Sequence, residues 1–218
     1  MNEGELLFSL FISKDDFETV LGSHSGKQKF GGVYVSIATL PPHMLSKLRY
    51  IMLTLLCKSS DRKDFGNKAI FQPLVDELND LCKKGIAVRT STRVYTVYFQ
   101  LVLMIGDNLG QNEIFEFVQN FNHGKPCRTC SVDIEGKKTL CIEKTELLRT
   151  LDTYKSDLSM NDTSLTGVKE DCIFDSIEEF NIFPNGSYDL LHNELEGRIS
   201  YTIVNLLNSF IYVTSFSL

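Results

Sequence analysis

Two acidic positions and one cysteine pair are the residues of this chain whose types and spacing could do chemistry. Asp15 and Asp16 follow the apolar run ELLFSLFI, and Asp107 follows another, LVLMI. Carboxylates held at the ends of neighbouring strands can share Mg²⁺ or Mn²⁺, hard cations that take oxygen ligands. Two such ions about 4 Å apart activate a nucleophile and stabilise a leaving 3′-oxygen in phosphodiester chemistry. The same Asp107, in GDN ahead of a helical stretch, also suits a helix N-cap and nothing more. Cys127 and Cys130, in PCRTC, have the C-x-x-C spacing that fills adjacent corners of a zinc tetrahedron, with His123 just upstream. Two free thiols in a loop fit that spacing as well, and zinc needs two further ligands. Downstream, in YDLLHNELEG, Asp189, His192 and Glu196 succeed one another at spacings of three and four, which one helix face can present. His192 is the candidate that an incomplete cysteine site asks for.

These residues need elements to position them. Glu5 to Ile12 reads as a strand, Gly31 to Ala38 alternates and is β-branched, and Arg49 to Cys57 is a third apolar run. Between the last two, LPPH marks a turn. From Asp64 to Lys84, Phe65, Ala69, Ile70, Leu74, Val75, Leu78, Leu81 and Cys82 recur at helical spacing, with Gly85 as C-cap. Gly85 to Val88 is a short extended piece. Arg93 to Ile105 is a long strand whose last half is apolar on both faces, as a central strand requires, and Leu109 to Asn120 reads as a helix. The order is strand, strand, strand, helix, strand, with carboxylates at the end of the first strand and just past the fourth. In an RNase H-like fold those two strands are neighbours, so Asp15 or Asp16 would meet Asp107.

The remainder is more polar and less regular. Lys144 to Tyr154 reads as a helix, Lys155 to Thr166 as a polar loop and Leu190 to Phe210 as a helix. The expected fold class is therefore α/β, an RNase H-like mixed sheet flanked by helices, with a partly irregular, helical C-terminal part. Residues 1–142 would form the core portion and 143–218 the helical portion. Gly22 to Gly32 is Gly-rich and basic but lacks the G-x-x-x-x-G-K-[ST] pattern, and reads as a hairpin loop.

Composition narrows the function classes. At 218 residues and 43% hydrophobic, the chain can bury one substantial core. Its longest apolar runs fall short of the roughly 18 residues that span a bilayer, and MNEGELLF has an acidic flank where a signal peptide is basic. An intracellular protein is expected, and the scattered cysteines form no disulfide framework. A net charge of −6 argues against a basic nucleic-acid reader. It leaves room for nucleic-acid chemistry at a carboxylate cluster.

As a set, the residues resemble a known group. KDDFETVLGSHSGKQKFGGVYVSIATLPPHMLSKL, IFQPLVDELNDLCKKGIAV, LVLMIGDNLGQNEIFEF, the CRTC pair and SYDLLHNELEG are similar, in that order, to blocks of transposase-like proteins carried by animal mobile elements. In general plan the chain is similar to the CACTA-type (En/Spm-like) DDE transposases, over roughly Leu6 to Leu207. The resemblance implies an RNase H-like core that cuts DNA and joins strands with divalent metal. Asp16, with Asp15 as alternative, matches the first catalytic carboxylate, Asp107 the second, and Glu196, with Glu194 beside it, the third. Mg²⁺ or Mn²⁺ would sit at Asp16 and Asp107. A structural zinc would sit at Cys127, Cys130 and His192, with Asp189 and His123 as alternatives.

DNA carrying transposon ends and a second copy of the chain are the partners implied, in the nucleus and away from membranes. The "NP" expected before LGS is absent, with Val20 in the place of the turn proline. The family's chains extend beyond both ends of this one, so an incomplete core is expected. The rival expectation is a domesticated, non-catalytic, zinc-containing binding or scaffold domain.

Overall fold

The computed structural model describes residues 3–19, 28–122, 124–189 and 191–214, without the side chains of 191–193, 197 and 212–214. Within them lies a mixed α/β fold. Strands β1 (Glu5–Thr19) and β2 (Gln28–Ile37) run antiparallel from Leu10↔Ile37 to Thr19↔Gln28. Of the segment expected as a hairpin loop, Gly22 to Gly32, residues 22–27 lie outside the described residues, and residues 28–32 belong to β2 itself. A short α1 (Pro42–Leu45) and a 3-10 turn lead into β3 (Ile51–Lys58), antiparallel to β2.

Helix α2 (Ser59–Lys83) starts earlier than its apolar pattern predicts and is broken at Gly66, whose φ of 79° suits only glycine. Past that break it buries Phe71, Leu74, Val75 and Leu78, one stripe at spacings of three and four. β4 (Ile86–Arg89) then pairs antiparallel with β5 (Val94–Ile105). The five-stranded sheet has the order β3-β2-β1-β5-β4, with β5 parallel to β1. The neighbour relation expected of the first strand and the long fourth is therefore present, and the short extended piece forms the edge.

α3 (Asn108–Ile114) ends well short of the expected Asn120. Glu116 takes a φ of 59°, and the Asn112 amide donates to the carbonyls of Val118 and Pro126, so the chain turns where its apolar pattern would let it continue. α4 (Ile134–Thr139) is followed by a 3-10 turn, then α5 (Leu151–Met160) and α6 (Thr163–Thr166). The single helix expected over Lys144 to Tyr154 is thus divided. Arg149 N–H donates to the Thr129 carbonyl in an extended bridge, and Thr150 starts α5 with a capping box. The expected polar loop after it holds the end of α5 and all of α6. Residues 191–199 form a π-type helix continuous with α7 (Ser200–Thr214), in agreement with the helical pattern there.

The core lies between one face of the sheet and α2, and continues into the segment that follows α6. Ile12, Val33, Val75, Met104, Tyr154 and Phe174 are all essentially inaccessible, and Phe71 packs on Phe174 with ring centroids 5.1 Å apart. Burial of these side chains is the main favourable term in the fold, each contributing on the order of 1.5–3 kcal/mol. No helix among the described residues is long and apolar enough to cross a membrane.

Candidate functional site

On β1 the core-facing row is Leu10, Ile12, Lys14 and Asp16, because alternate side chains of a strand share a face. The first two are apolar and the row then turns charged without leaving the interior, since Lys14 is buried. β1 also runs on to Thr19, so Asp15 and Asp16 sit inside the strand and not at its end. Strand β5 stops sooner: Ser13 faces Ile105 across the parallel pair, and Gly106 and Asp107 turn beneath the continuing β1. Gly106 lies close to the Lys14 carbonyl, where an added Cβ would sit 3.5 Å from its oxygen. Asp16 and Asp107 consequently line one cleft of about 230 Å³, together with Asp15, Glu113, Lys14, Lys29, Ser59, Arg62 and Lys63.

The cleft is wired by ion pairs. Lys14 Nζ stands 2.7 Å from Asp16 Oδ1 and 2.8 Å from Glu113 Oε2. Arg62 Nη2 stands 2.6 Å from Glu113 Oε1 and 3.5 Å from Asp16 Oδ2, and Lys29 reaches Asp16 Oδ2 at 3.3 Å. Gly31 pairs with Asp16 across the β1–β2 ladder, and a Cβ there would lie only 2.9 Å from Asp16 Oδ1 and 3.5 Å from Arg62 Nη1. The absence of a side chain at Gly31 is what lets the carboxylate and guanidinium nest against β2. Burial by itself would raise the Asp16 pKa, but the Lys14 hydrogen bond and the charges of Lys14 and Arg62 outweigh it and hold the group below its ordinary value.

Asp107 has a different task. Its side chain accepts from the Gly110 N–H and caps α3, the N-cap alternative that its GDN context allows.

A two-metal centre needs several carboxylates with free oxygens around a cation. Here the space between Asp16 and Glu113 is bridged by an ammonium and a guanidinium. Lys14, Lys29, Arg62 and Lys63 match Asp15, Asp16, Asp107 and Glu113 charge for charge. As folded, this donor set does not fit a two-metal centre. Among the described residues no group of three or more His, Cys, Asp or Glu is placed to hold a metal ion. Glu194 and Glu196 are not among the cleft's lining residues; Glu194 pairs with Arg198 four residues on, and Glu196 is exposed on the 191–199 helix.

Behind the first turn of α3 lies a second, larger pocket of about 520 Å³, with Asn108, Cys127, Arg128, Cys130 and Tyr188 in its walls. The cysteine turn is organised by its backbone and by two arginines. Cys130 N–H donates to Cys127 Sγ at 3.4 Å. The Cys130 thiol and the N–H groups of Cys130 and Thr129 stabilise the Cys127 thiolate against the cost of burial, and its pKa falls to about 5. The Cys130 pKa is pushed up, first by its hydrogen bond to that thiolate and then by burial.

Arg149, buried, donates from Nε to the carbonyls of Cys127 (3.1 Å) and Cys130 (3.3 Å) and from Nη2 to Thr166 O, and it pairs with Asp157. Arg128 donates to Asn108 Oδ1 at 2.9 Å and to the Ser187 carbonyl at 2.8 Å, with the charges of Asp107 and Asp189 close by. The two cavities are thus joined back to back through the start of α3. Two thiols supply two corners of a zinc site. His123 and the side chain of His192 lie outside the described residues, while Asp189 is half-buried near Arg128.

Lys14, Ser59, Arg62 and Glu113 escape a reading by motif. Lys14 alone carries a sequence signal, since its place two before Asp16 puts both on one strand face. No protein-family model matches this chain, and no curated protein does.

Proposed function

We propose that this chain is an RNase H-like core of DDE-transposase ancestry that now serves as a non-catalytic nucleic-acid-binding module. The observation that carries this reading is the pairing of charges in the cleft. The parallel β1–β5 contact puts Asp16 and Asp107 together in the place where strand order would have them. Each is already used: Asp16 by Lys14, Lys29 and Arg62, Asp107 by the backbone of α3. Opposite charges a few ångströms apart in a partly buried site hold one another more firmly than they would hold a hydrated Mg²⁺, which dehydrates reluctantly. The cleft interior is then neutral, and a phosphodiester strand would be held at its edge by the exposed ammonium groups of Lys29 and Lys63.

A zinc ion at Cys127 and Cys130, with His192 as the next ligand, belongs to the same reading as a structural element. The acidic Cys127 thiol favours it, because zinc takes thiolates. Zinc there would tie the turn after α3 to the 191–199 helix.

Fluorescence anisotropy with a labelled oligonucleotide, run beside a supercoiled-plasmid nicking assay in Mg²⁺ and Mn²⁺, tests the reading. Expected are saturable binding that weakens with salt and no metal-dependent nicking. Nicking that requires the cation and disappears in Asp107→Asn would replace this reading with a working transposase core. Absence of oligonucleotide binding would remove the nucleic-acid assignment.

A further inference from the structure

The ion pairs of the cleft leave two donors unused, beside one acceptor, Asp16 Oδ1, that faces Lys14 without a directed hydrogen bond. Ser59 and Arg62, three residues apart at the start of α2, are only 6% and 4% exposed, and both line the cleft. Arg62 commits its Nη2 edge to Glu113 and Asp16, while its Nη1 has no hydrogen-bond partner, and neither has Ser59 Oγ. A buried guanidinium N–H and a buried hydroxyl without partners are costly, and native folds keep such groups where a ligand or an ordered water completes them. The wall around them is mainly polar and charged, with Leu109 the large apolar side chain among its lining residues. The ammonium groups of Lys29 and Lys63 line the same cleft, with Lys29 half-exposed.

The carboxylates in the cleft are the obstacle to an anion, and most of them are neutralised. Asp16 is held by Lys14 and Lys29, Glu113 by Lys14 and Arg62, and Asp107 Oδ1 by the Gly110 N–H. Asp15, on the exposed side of β1, is the charge an incoming anion must avoid.

We infer that Arg62 Nη1 and Ser59 Oγ form an oxoanion site for a tetrahedral phosphate, with Lys63 and Lys29 supplying charge at its mouth. A guanidinium N–H and a hydroxyl lining one cleft supply a charge-assisted pair of donors, and arginine suits phosphate because its fork is planar and always charged. The identification of that phosphate as part of a nucleic-acid backbone rests on the function proposed above; the site itself does not.

The test uses the full chain with two probes, inorganic phosphate and a short thymidine oligonucleotide, and follows the Arg62 side-chain N–H resonances by NMR. Saturable shifts with phosphate, displaced by the oligonucleotide, are expected. Ser59→Ala removes a hydroxyl that makes no bond in the free protein, so it leaves the fold intact and weakens phosphate binding about tenfold, the worth of one hydrogen bond to a charged group. Arg62→Lys keeps the charge for Glu113 and Asp16 and loses the free fork edge, with a similar or larger loss.

Absence of any saturable phosphate shift, with an ordered water alone completing these donors, overturns the inference. So does binding that ignores both variants. Phosphate binding without oligonucleotide binding upholds the site and removes the nucleic-acid reading. Oligonucleotide binding that phosphate and Ser59→Ala leave unchanged does the reverse.

Discussion

The two cavities on either side of the first turn of α3 handle charge in opposite ways. In the cleft under β1, charged side chains come from four separate elements and cancel one another through direct ion pairs. In the cysteine pocket, a negative charge arises on Cys127 through local donors, the thiol and N–H groups of its own turn, with Arg128 beside it. The first arrangement depends on the tertiary fold at every contact. The second is largely a property of a four-residue turn, held in place from outside by Arg149. A charge that local backbone stabilises keeps its whole face for a ligand; in the cleft the paired edges are spent, and what remains for a ligand lies outside the pairs, at Arg62 Nη1 and Ser59 Oγ.

The widest separation between the regions is in titration. In metal-free protein, alkylation of Cys127 by iodoacetamide follows a midpoint near 5, against the ordinary thiol value of 9, and Cys130→Ala moves that midpoint upward by removing the largest stabilising donor. A midpoint at the ordinary value would show that the turn does not hold the thiolate.

Next in size is Arg149→Met, which strips the carbonyls of Cys127, Cys130 and Thr166 and the Asp157 carboxylate of their buried donor. It costs about 3–5 kcal/mol in urea unfolding, and a loss below about 1 kcal/mol would mean the pocket is held by something else.

Lys14→Met leaves Asp16 and Glu113 without the ammonium they share and costs about 3 kcal/mol. Lys14→Met with Glu113→Gln recovers part of that loss, and simple additivity would deny the coupling. The same cluster predicts a pH effect. The folded pKa of Asp16 lies below its unfolded value of 3.8, so its stabilisation is present above that value and lost as pH falls through the lowered one. Asp16→Asn flattens that acid limb. The smallest effect is expected at Asp107: Asp107→Ala removes a helix cap worth about 1 kcal/mol, while Asp107→Asn, also a good cap, leaves thermal stability nearly unchanged.

Much of the fold was legible in the chain because it follows from short-range pattern. The alternation in β1 and β2, the double-sided apolarity of β5 and the buried stripe of α2 all appear where local spacing places them. The expected helices ended wrongly where long-range contacts intervene. Asn112 turns the chain after α3 by bonding carbonyls as far away as Pro126, and Arg149 breaks the expected helix over Lys144 to Tyr154 by pairing with Thr129. The candidate site divides in the same way. Asp16 and Asp107 were visible as acidic residues after apolar strands, but nothing near either of them in the sequence announces Arg62 or Glu113.

By itself, then, the sequence determined the strands and the spacing of the cysteine pair and offered Asp107 as one possible helix cap, since each depends on residues within a turn or two of one another. Only the tertiary structure decided what those carboxylates are for. The parallel contact of β1 with β5 brings together side chains roughly a hundred positions apart, and the glycine at position 31 opens the space in which they meet. Electrostatic pairing depends on distance through space, and spacing along the chain carries almost no information about it.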